Sequence, residues 1–173
     1  MCLLLKGALS MDVRKTNATD DFEAIGNIYA SSWKFAYKGI VPQDYLDNLQ
    51  GTRWSSVLPT SPYDSFVVLE NGVYIGTSSV CSSRDEKMSG WGEIASLYLL
   101  PEYFGKGYGK PLFECAVNSL RERGFDNVFL WVLEENVRAQ RFYEKNGFNK
   151  AEDTMNMNIG GKDLIEVRYI KQF

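Results

Sequence analysis

A mixed α/β domain is the architecture this sequence predicts, and three observations carry it. Asn71-Gly72, the strongest two-residue hairpin signal in the chain, separates two apolar runs. A glycine-rich turn, Gly105 to Lys110, follows one apolar strand pattern and opens a helical one. Strand and helix patterns then interleave through the second half, as a mixed sheet covered by helices requires. The 173 residues, 45 % apolar and 14 % aromatic, suffice for one well-filled core and are short for two. No repeat or low-complexity linker divides them, so residues 11–173 read as one domain. Residues 1–10 read as a disordered or upstream extension, because Met11 begins a more ordinary opening.

Residues 12–16 read as a first strand. Thr19-Asp20 then offers a helix cap, with Glu23 placed as a capping-box partner for Asp20. Phe22, Ile25, Tyr29 and Trp33 recur at spacings of three and four, giving a helix to about Tyr37 that Gly39 closes. Pro42 to Leu49 reads as a short second helix, since proline suits a first turn. Ser65 to Leu69 and Val73 to Val80 form the antiparallel pair around Asn71-Gly72, and the polar stretch Ser82 to Gly90 reads as a mobile connection. Glu93 to Leu100 is nearly all apolar, as a central strand should be, and Pro101 ends it. Leu112, Cys115, Ala116, Ser119 and Leu120 carry a helical stripe that Gly124 stops. A strand over 127–132, a helix over 136–146 and a closing strand pair, 148–158 and 164–171, complete the order.

Charge and composition remove several function classes. Lys and Arg number 19 against 22 Asp and Glu, a net charge of -3, so there is no general basic field for nucleic acid or an anionic membrane. Histidine is absent, which excludes Ser-His and Cys-His dyads and histidine-bearing metal sites, and leaves proton transfer to carboxylates, phenols, amines or water. Cys2, Cys81 and Cys115 are too widely spaced for a redox pair or zinc knuckle, and no metal is expected. Reduced thiols fit a cytoplasmic protein. The run Cys2 to Leu5 is short for a signal-peptide core, and nothing spans a bilayer.

The glycine turn is the main chemical signal. A strand, a turn and a helix N-terminus in that order aim several backbone N–H groups at one point, which suits a phosphate. Gly105, Gly107 and Gly109 let a ligand approach without Cβ atoms in the way, and Lys106 and Lys110 add positive charge. The same glycines also fit an ordinary turn before a helix. A Walker A loop fails because Phe104 and Pro111 occupy places that need glycine and Ser or Thr; the dinucleotide G-x-G-x-x-G spacing fails too.

The stretch Leu97-Tyr-Leu-Leu-Pro-Glu-Tyr-Phe-Gly-Lys-Gly-Tyr-Gly-Lys110 and the later Asn136-Val-Arg-Ala-Gln-Arg-Phe-Tyr-Glu-Lys-Asn-Gly-Phe148 together resemble the GNAT superfamily of acyl-CoA-dependent N-acetyltransferases. Trp33 to Gly39 and Pro42 to Leu46 look like the first helical region of many small bacterial members. The resemblance implies a mostly antiparallel sheet splayed in a V with helices on both faces, and acetyl-CoA as co-substrate lying in the split. It implies that the amides of Gly105, Lys106, Gly107, Tyr108, Gly109 and Lys110 cradle the diphosphate. Phe104 stands where the family has Gln or Arg, so one polar phosphate contact is missing there. Leu99 and Leu100 fall where the family's central strand frees backbone groups for pantetheine and for a tetrahedral oxyanion. On the later helix Asn136, Ala139 and Phe142 would meet the pantetheine arm, and Tyr143 would be the acid for the departing thiolate. A packing role for Tyr143 and a helix-cap role for Asn136 are the plainer alternatives.

The resemblance also makes Glu93 the proton acceptor by position, with Glu134 or Glu135 as substitutes and a solvated strand-end carboxylate as the alternative. Trp33 and Tyr37 are the leading acceptor-pocket aromatics, followed by Tyr45 and Trp131, although aromatic side chains at such spacings are more often core. The implied reaction is transfer of an acetyl group to a small-molecule or peptide amine by direct attack. A second reading keeps the fold as an acyl-CoA-binding sensor or interaction module without turnover. Homodimers are common in such relatives.

Overall fold

The computed structural model describes residues 10–173, so apart from Ser10 the expected N-terminal extension lies outside the described residues. Strands β1 (Met11–Lys15), β2 (Asp64–Glu70), β3 (Val73–Ser82), β4 (Gly92–Leu99), β5 (Asn127–Leu133), β6 (Asn149–Ile159) and β7 (Lys162–Gln172) form a seven-stranded sheet in the order β1-β2-β3-β4-β5-β7-β6. The helices are α1 (Phe22–Ala36), α2 (Gln43–Asp47), α3 (Thr52–Ser55), α4 (Gly109–Glu122) and α5 (Val137–Lys145). The β2–β3 hairpin turns at Asn71-Gly72, both at positive φ, as the dipeptide predicts.

Alternation along β2 explains why helices cover both faces. Phe66 and Val68 join the cluster that α4 fills with Leu112, Phe113, Ala116 and Leu120. Val67 and Leu69 point the other way and pack on Ile25 and Tyr29 of α1. A third cluster joins Leu46 and Leu49 to Leu133, Ile159 and Leu164, closing the far end of the sheet.

One pairing decides where a ligand fits. Every strand pair is antiparallel except β4 with β5, and that parallel pair holds register only at Gly92↔Val128 and Glu93↔Phe129. Beyond it the two strands part, so β4 has a strand neighbour on only one edge from Ile94 to Leu99. A bulge helps turn β4 away: Ser96 pairs with Ser79 and Ile94 with Val80, leaving Ala95 unpaired.

The start of α1 corrects the expected cap. Asp21, not Asp20, is the N-cap and accepts from the Ala24 amide at 2.9 Å. Asp20 instead turns inward, where Arg14 donates to it at 2.6 and 2.9 Å and the Tyr74 hydroxyl at 2.8 Å. The short helix α3 carries no apolar period long enough to read from sequence. The connection expected to be mobile contains a 3-10 turn, Glu86–Met88, and is anchored through Arg84 to Glu93 and through Asp85 to Arg168.

Asp20 yields a stability prediction. Its pKa is lowered from 3.8 to about 2, chiefly by the Arg14 hydrogen bonds and against the opposing effect of burial. A depressed carboxylate stabilises the fold above its unfolded pKa and loses that contribution as pH falls through the folded value, here about 2 kcal/mol. Asp20→Asn should therefore lower stability at neutral pH by about that amount and flatten its decline between pH 3.8 and about 2, read by denaturant melts across pH.

Candidate active site

The gap between β4 and β5 opens into a cleft of about 840 Å³. One wall is β4 from Glu93 to Leu99. The opposite wall is Trp131 to Leu133 with Asn136, Ala139 and Tyr143, and α1 contributes Ser32, Trp33 and Tyr37. The backbone of β4 offers hydrogen bonds along this wall. Leu100 donates its amide to Ile75 of β3 at 2.8 Å, and antiparallel pairing alternates, so the polar groups of Leu97 and Leu99 face away from β3 into the gap. Ser32 of α1 donates to the Leu99 carbonyl, which leaves the Leu99 amide as the donor there. Leu100 is a correction: its amide serves β3 and its carbonyl accepts from Tyr103, so neither backbone group is free for a cofactor.

Past Leu100 a 3-10 turn, Pro101–Tyr103, delivers the chain to the glycine turn. Gly105 and Gly107 have φ of +73° and +94°, and the amides from Gly105 to Lys110 have no acceptor among the described residues. Tyr108 precedes α4 without a side-chain cap, so the 14-residue helix presents an open positive end. The turn lies just outside the residues lining the cleft; Gly109 connects the two, sitting against Leu99 and Phe142. The lysines do not converge on the turn: Lys106 rests 5.5 Å over the Tyr103 ring, and Lys110 lies 3.7 Å from Glu114. The Tyr108 hydroxyl donates to Glu70.

On α5, Asn136 is the N-cap, its Oδ1 accepting from the Ala139 amide at 3.2 Å, while its side chain also lines the cleft. The cap and ligand roles are thus compatible, since Nδ2 has no partner among the described residues. Tyr143 packs on Phe113 and Tyr169, is 8 % exposed, and reaches the cleft with no hydrogen-bond partner among the described residues. Burial, then Tyr98, pushes its pKa well above the ordinary value. Phe142 departs from expectation, packing against Phe113 at 5.4 Å beneath the turn instead of lining the cleft.

The acid-base end differs most from the expected arrangement. Glu93 does line the cleft and is 2 % exposed, but Arg84 takes both its oxygens. The Arg84 side chain donates at 2.5 to 3.1 Å and its amide at 3.0 Å. Both Glu93 oxygens are thus committed to charge-assisted bonds with one arginine. Glu166 of β7 borders the same cleft with no ion-pair or hydrogen-bond partner among the described residues. Its pKa is raised by burial and by Glu93, with Arg84 opposing. Sequence reasoning missed it. The available signal was Glu166 and Arg168 two residues apart on one face of the otherwise apolar run Leu164 to Ile170. Glu134 and Glu135 are exposed outside the cleft lining, Glu135 lying 3.7 Å from Lys162.

Trp33 and Tyr37 meet edge to face at 4.8 Å in the cleft wall, and Trp131 lines it beneath Arg168, 4.4 Å from its ring. Tyr45 does not reach the cleft; it packs with the Ile159 cluster and covers Gly160. Burial raises Tyr37 well above the ordinary phenol value and Tyr98 to about 12, so both stay protonated near neutrality. No group of three or more metal-ligating side chains occurs among the described residues, and no helix there is long and apolar enough to cross a membrane.

A parted sheet with an uncapped glycine turn beside it defines a class. Residues 22–148 match the model of the acetyltransferase (GNAT) family, so the chain belongs to that family. It is an acyltransferase that uses acetyl-CoA as co-substrate, on a mixed, mostly antiparallel sheet. It is 29 % identical over 150 residues to an uncharacterized N-acetyltransferase, YuaI, of Bacillus subtilis, covering 86 % of each chain. It is 29 % identical over 168 residues to a spermidine N(1)-acetyltransferase of Thermoplasma acidophilum, covering 93 % of this chain and 99 % of that one. The fold matches the crystal structure of the PaiA N-acetyltransferase of Thermoplasma acidophilum in complex with coenzyme A, at a TM-score of 0.73, 24 % identity, and 95 % and 99 % coverage.

The turn geometry separates two glycines. At φ +94°, an alanine at Gly107 is strained by about 1 to 2 kcal/mol. A Cβ at Gly109 meets nothing nearer than 3.4 Å. Chemical denaturation should therefore show Gly107→Ala destabilised by that amount and Gly109→Ala within about 0.5 kcal/mol of the parent.

Proposed function

We propose that the protein acetylates the primary amine of a cationic acceptor, small molecule or peptide, by direct attack on acetyl-CoA. What supports the reading most is one juxtaposition: the free edge of β4 runs from the unpartnered amides of 105–110 toward a cleft bordered by Tyr143 and Glu166. The diphosphate lies on the amides and the helix end. Pantetheine pairs with the open edge of β4 and with Asn136 Nδ2, while Ala139 keeps α5 close. The Leu99 amide donates to the thioester oxygen as it becomes an oxyanion.

A lysine-like amine is protonated at neutral pH, and freeing its lone pair costs about 4 kcal/mol. Glu166 accepts that proton, directly or through water, and its unpaired charge favours a cationic acceptor. The amine nitrogen then bonds to the thioester carbon, the carbon–sulfur bond breaks, Tyr143 gives its proton to the thiolate, and the second proton shed by the acylated nitrogen returns through water to the Tyr143 oxygen. Burial keeps Tyr143 protonated until then. Glu93 holds Arg84 in place instead of taking the proton. Trp33 and Tyr37 face the acceptor with their rings. No acyl-enzyme step is needed, and burial raises the Cys81 thiol to about 11, away from a reactive thiolate.

An acetyl-CoA assay over pooled amines, with mass readout of the acceptor, tests the reading; polyamines come first because a relative carries the name spermidine N(1)-acetyltransferase. Tyr143→Phe should lower kcat by roughly 10²-fold and leave acetyl-CoA affinity nearly unchanged, in steady-state kinetics and calorimetry. Because the Glu166 pKa is raised, kcat/KM should fall with decreasing pH starting above the ordinary carboxylate range. Glu166→Gln should lower the rate and flatten that acidic limb.

A further inference from the structure

Phe104, the residue directly before the glycine turn, offers the phosphate end of the site no polar side-chain atom, and the structure sets a cation in space beside it. The Arg138 guanidinium, from the first turn of α5, lies 3.8 Å over the Phe104 ring and 5.8 Å from the Phe35 ring. Phe35 and Phe104 meet edge to face at 5.3 Å, so two elements far apart in sequence build the platform for this one side chain. A stacked guanidinium keeps its plane fixed and its N–H edge free, a pose that favours forked bonds to an oxyanion.

Arg138 has no carboxylate or hydrogen-bond partner among the described residues, although carboxylates hold Arg14, Arg84 and Arg168. It and Phe104 both line the mouth of the cleft, where Phe104 is followed directly by the open amides starting at Gly105. Partial desolvation lowers its pKa although the side chain keeps an exposed edge, as expected for a cation whose counter-charge is not supplied by the protein.

We infer that Arg138 is a coenzyme-binding residue that contacts the diphosphate of CoA from α5, taking over in space the contact that Phe104 cannot make in sequence. The inference rests on the proposed placement of CoA, and the test separates the two. Calorimetry with CoA and with dephospho-CoA is run on the intact chain and on Arg138→Met and Arg138→Lys. If Arg138 contacts the diphosphate, Arg138→Met should weaken both ligands by about 10- to 100-fold, as loss of a charge-assisted bond does, and Arg138→Lys should fall between.

Unchanged affinity in Arg138→Met, with the parent binding CoA normally, would overturn the inference and leave the proposed function standing. Loss with CoA but not with dephospho-CoA would also overturn it, moving the contact to the 3′-phosphate. Failure of the parent to bind either ligand would strike the proposed function itself. Because Arg138 is exposed, its substitutions should leave the thermal midpoint close to that of the parent, so a binding loss reads as a lost contact.

Discussion

The site depends on a sheet that stops being a sheet. Two residue pairs tie β4 to β5, and then the strands diverge. A buried strand edge normally fills every donor and acceptor, because an unmet backbone group costs about as much as a lost hydrogen bond. Here the unmet groups border a cleft, where water satisfies them and a ligand with its own amides can replace that water. The bulge at Ala95 and the Ser32 bond to Leu99 hold the divergence from opposite sides. The amide turn extends the same principle past the end of the strand. From Leu97 to Lys110 the groups without a partner among the described residues belong to the main chain more than to the side chains.

Much of this was legible in the sequence because it depends on local chemistry. Asn71-Gly72 needs positive φ, Gly124 ends α4, and Asn136 caps α5; each signal lies within a few residues of its effect. The two motifs that pointed to the family are also local. What escaped was long-range. Nothing near Asp20 announces that Arg14 and Tyr74 will draw it inward and hand the cap to Asp21. Leu100 looked equivalent to Leu99, yet strand alternation gives one to β3 and the other to the cleft.

The carboxylates show the same limit in a form that matters for chemistry. Position alone nominated Glu93, and position was right about the cleft. Which carboxylate is free depends on where the arginines lie. Arg84 satisfies Glu93, Arg168 meets Asp85 and Asp153, and Glu166 has no ion-pair partner among the described residues. In a chain without histidine, the proposed mechanism gives proton transfer to that carboxylate. Arg138 is the converse case, a cation with no carboxylate partner among the described residues.

Amide hydrogen exchange, with and without saturating acetyl-CoA, tests the central claim most directly. The account predicts fast exchange at Leu97, Leu99 and residues 105–110 in the free protein, and marked slowing at those amides when the coenzyme is added. Binding that leaves them fast, while protecting amides elsewhere, would contradict it.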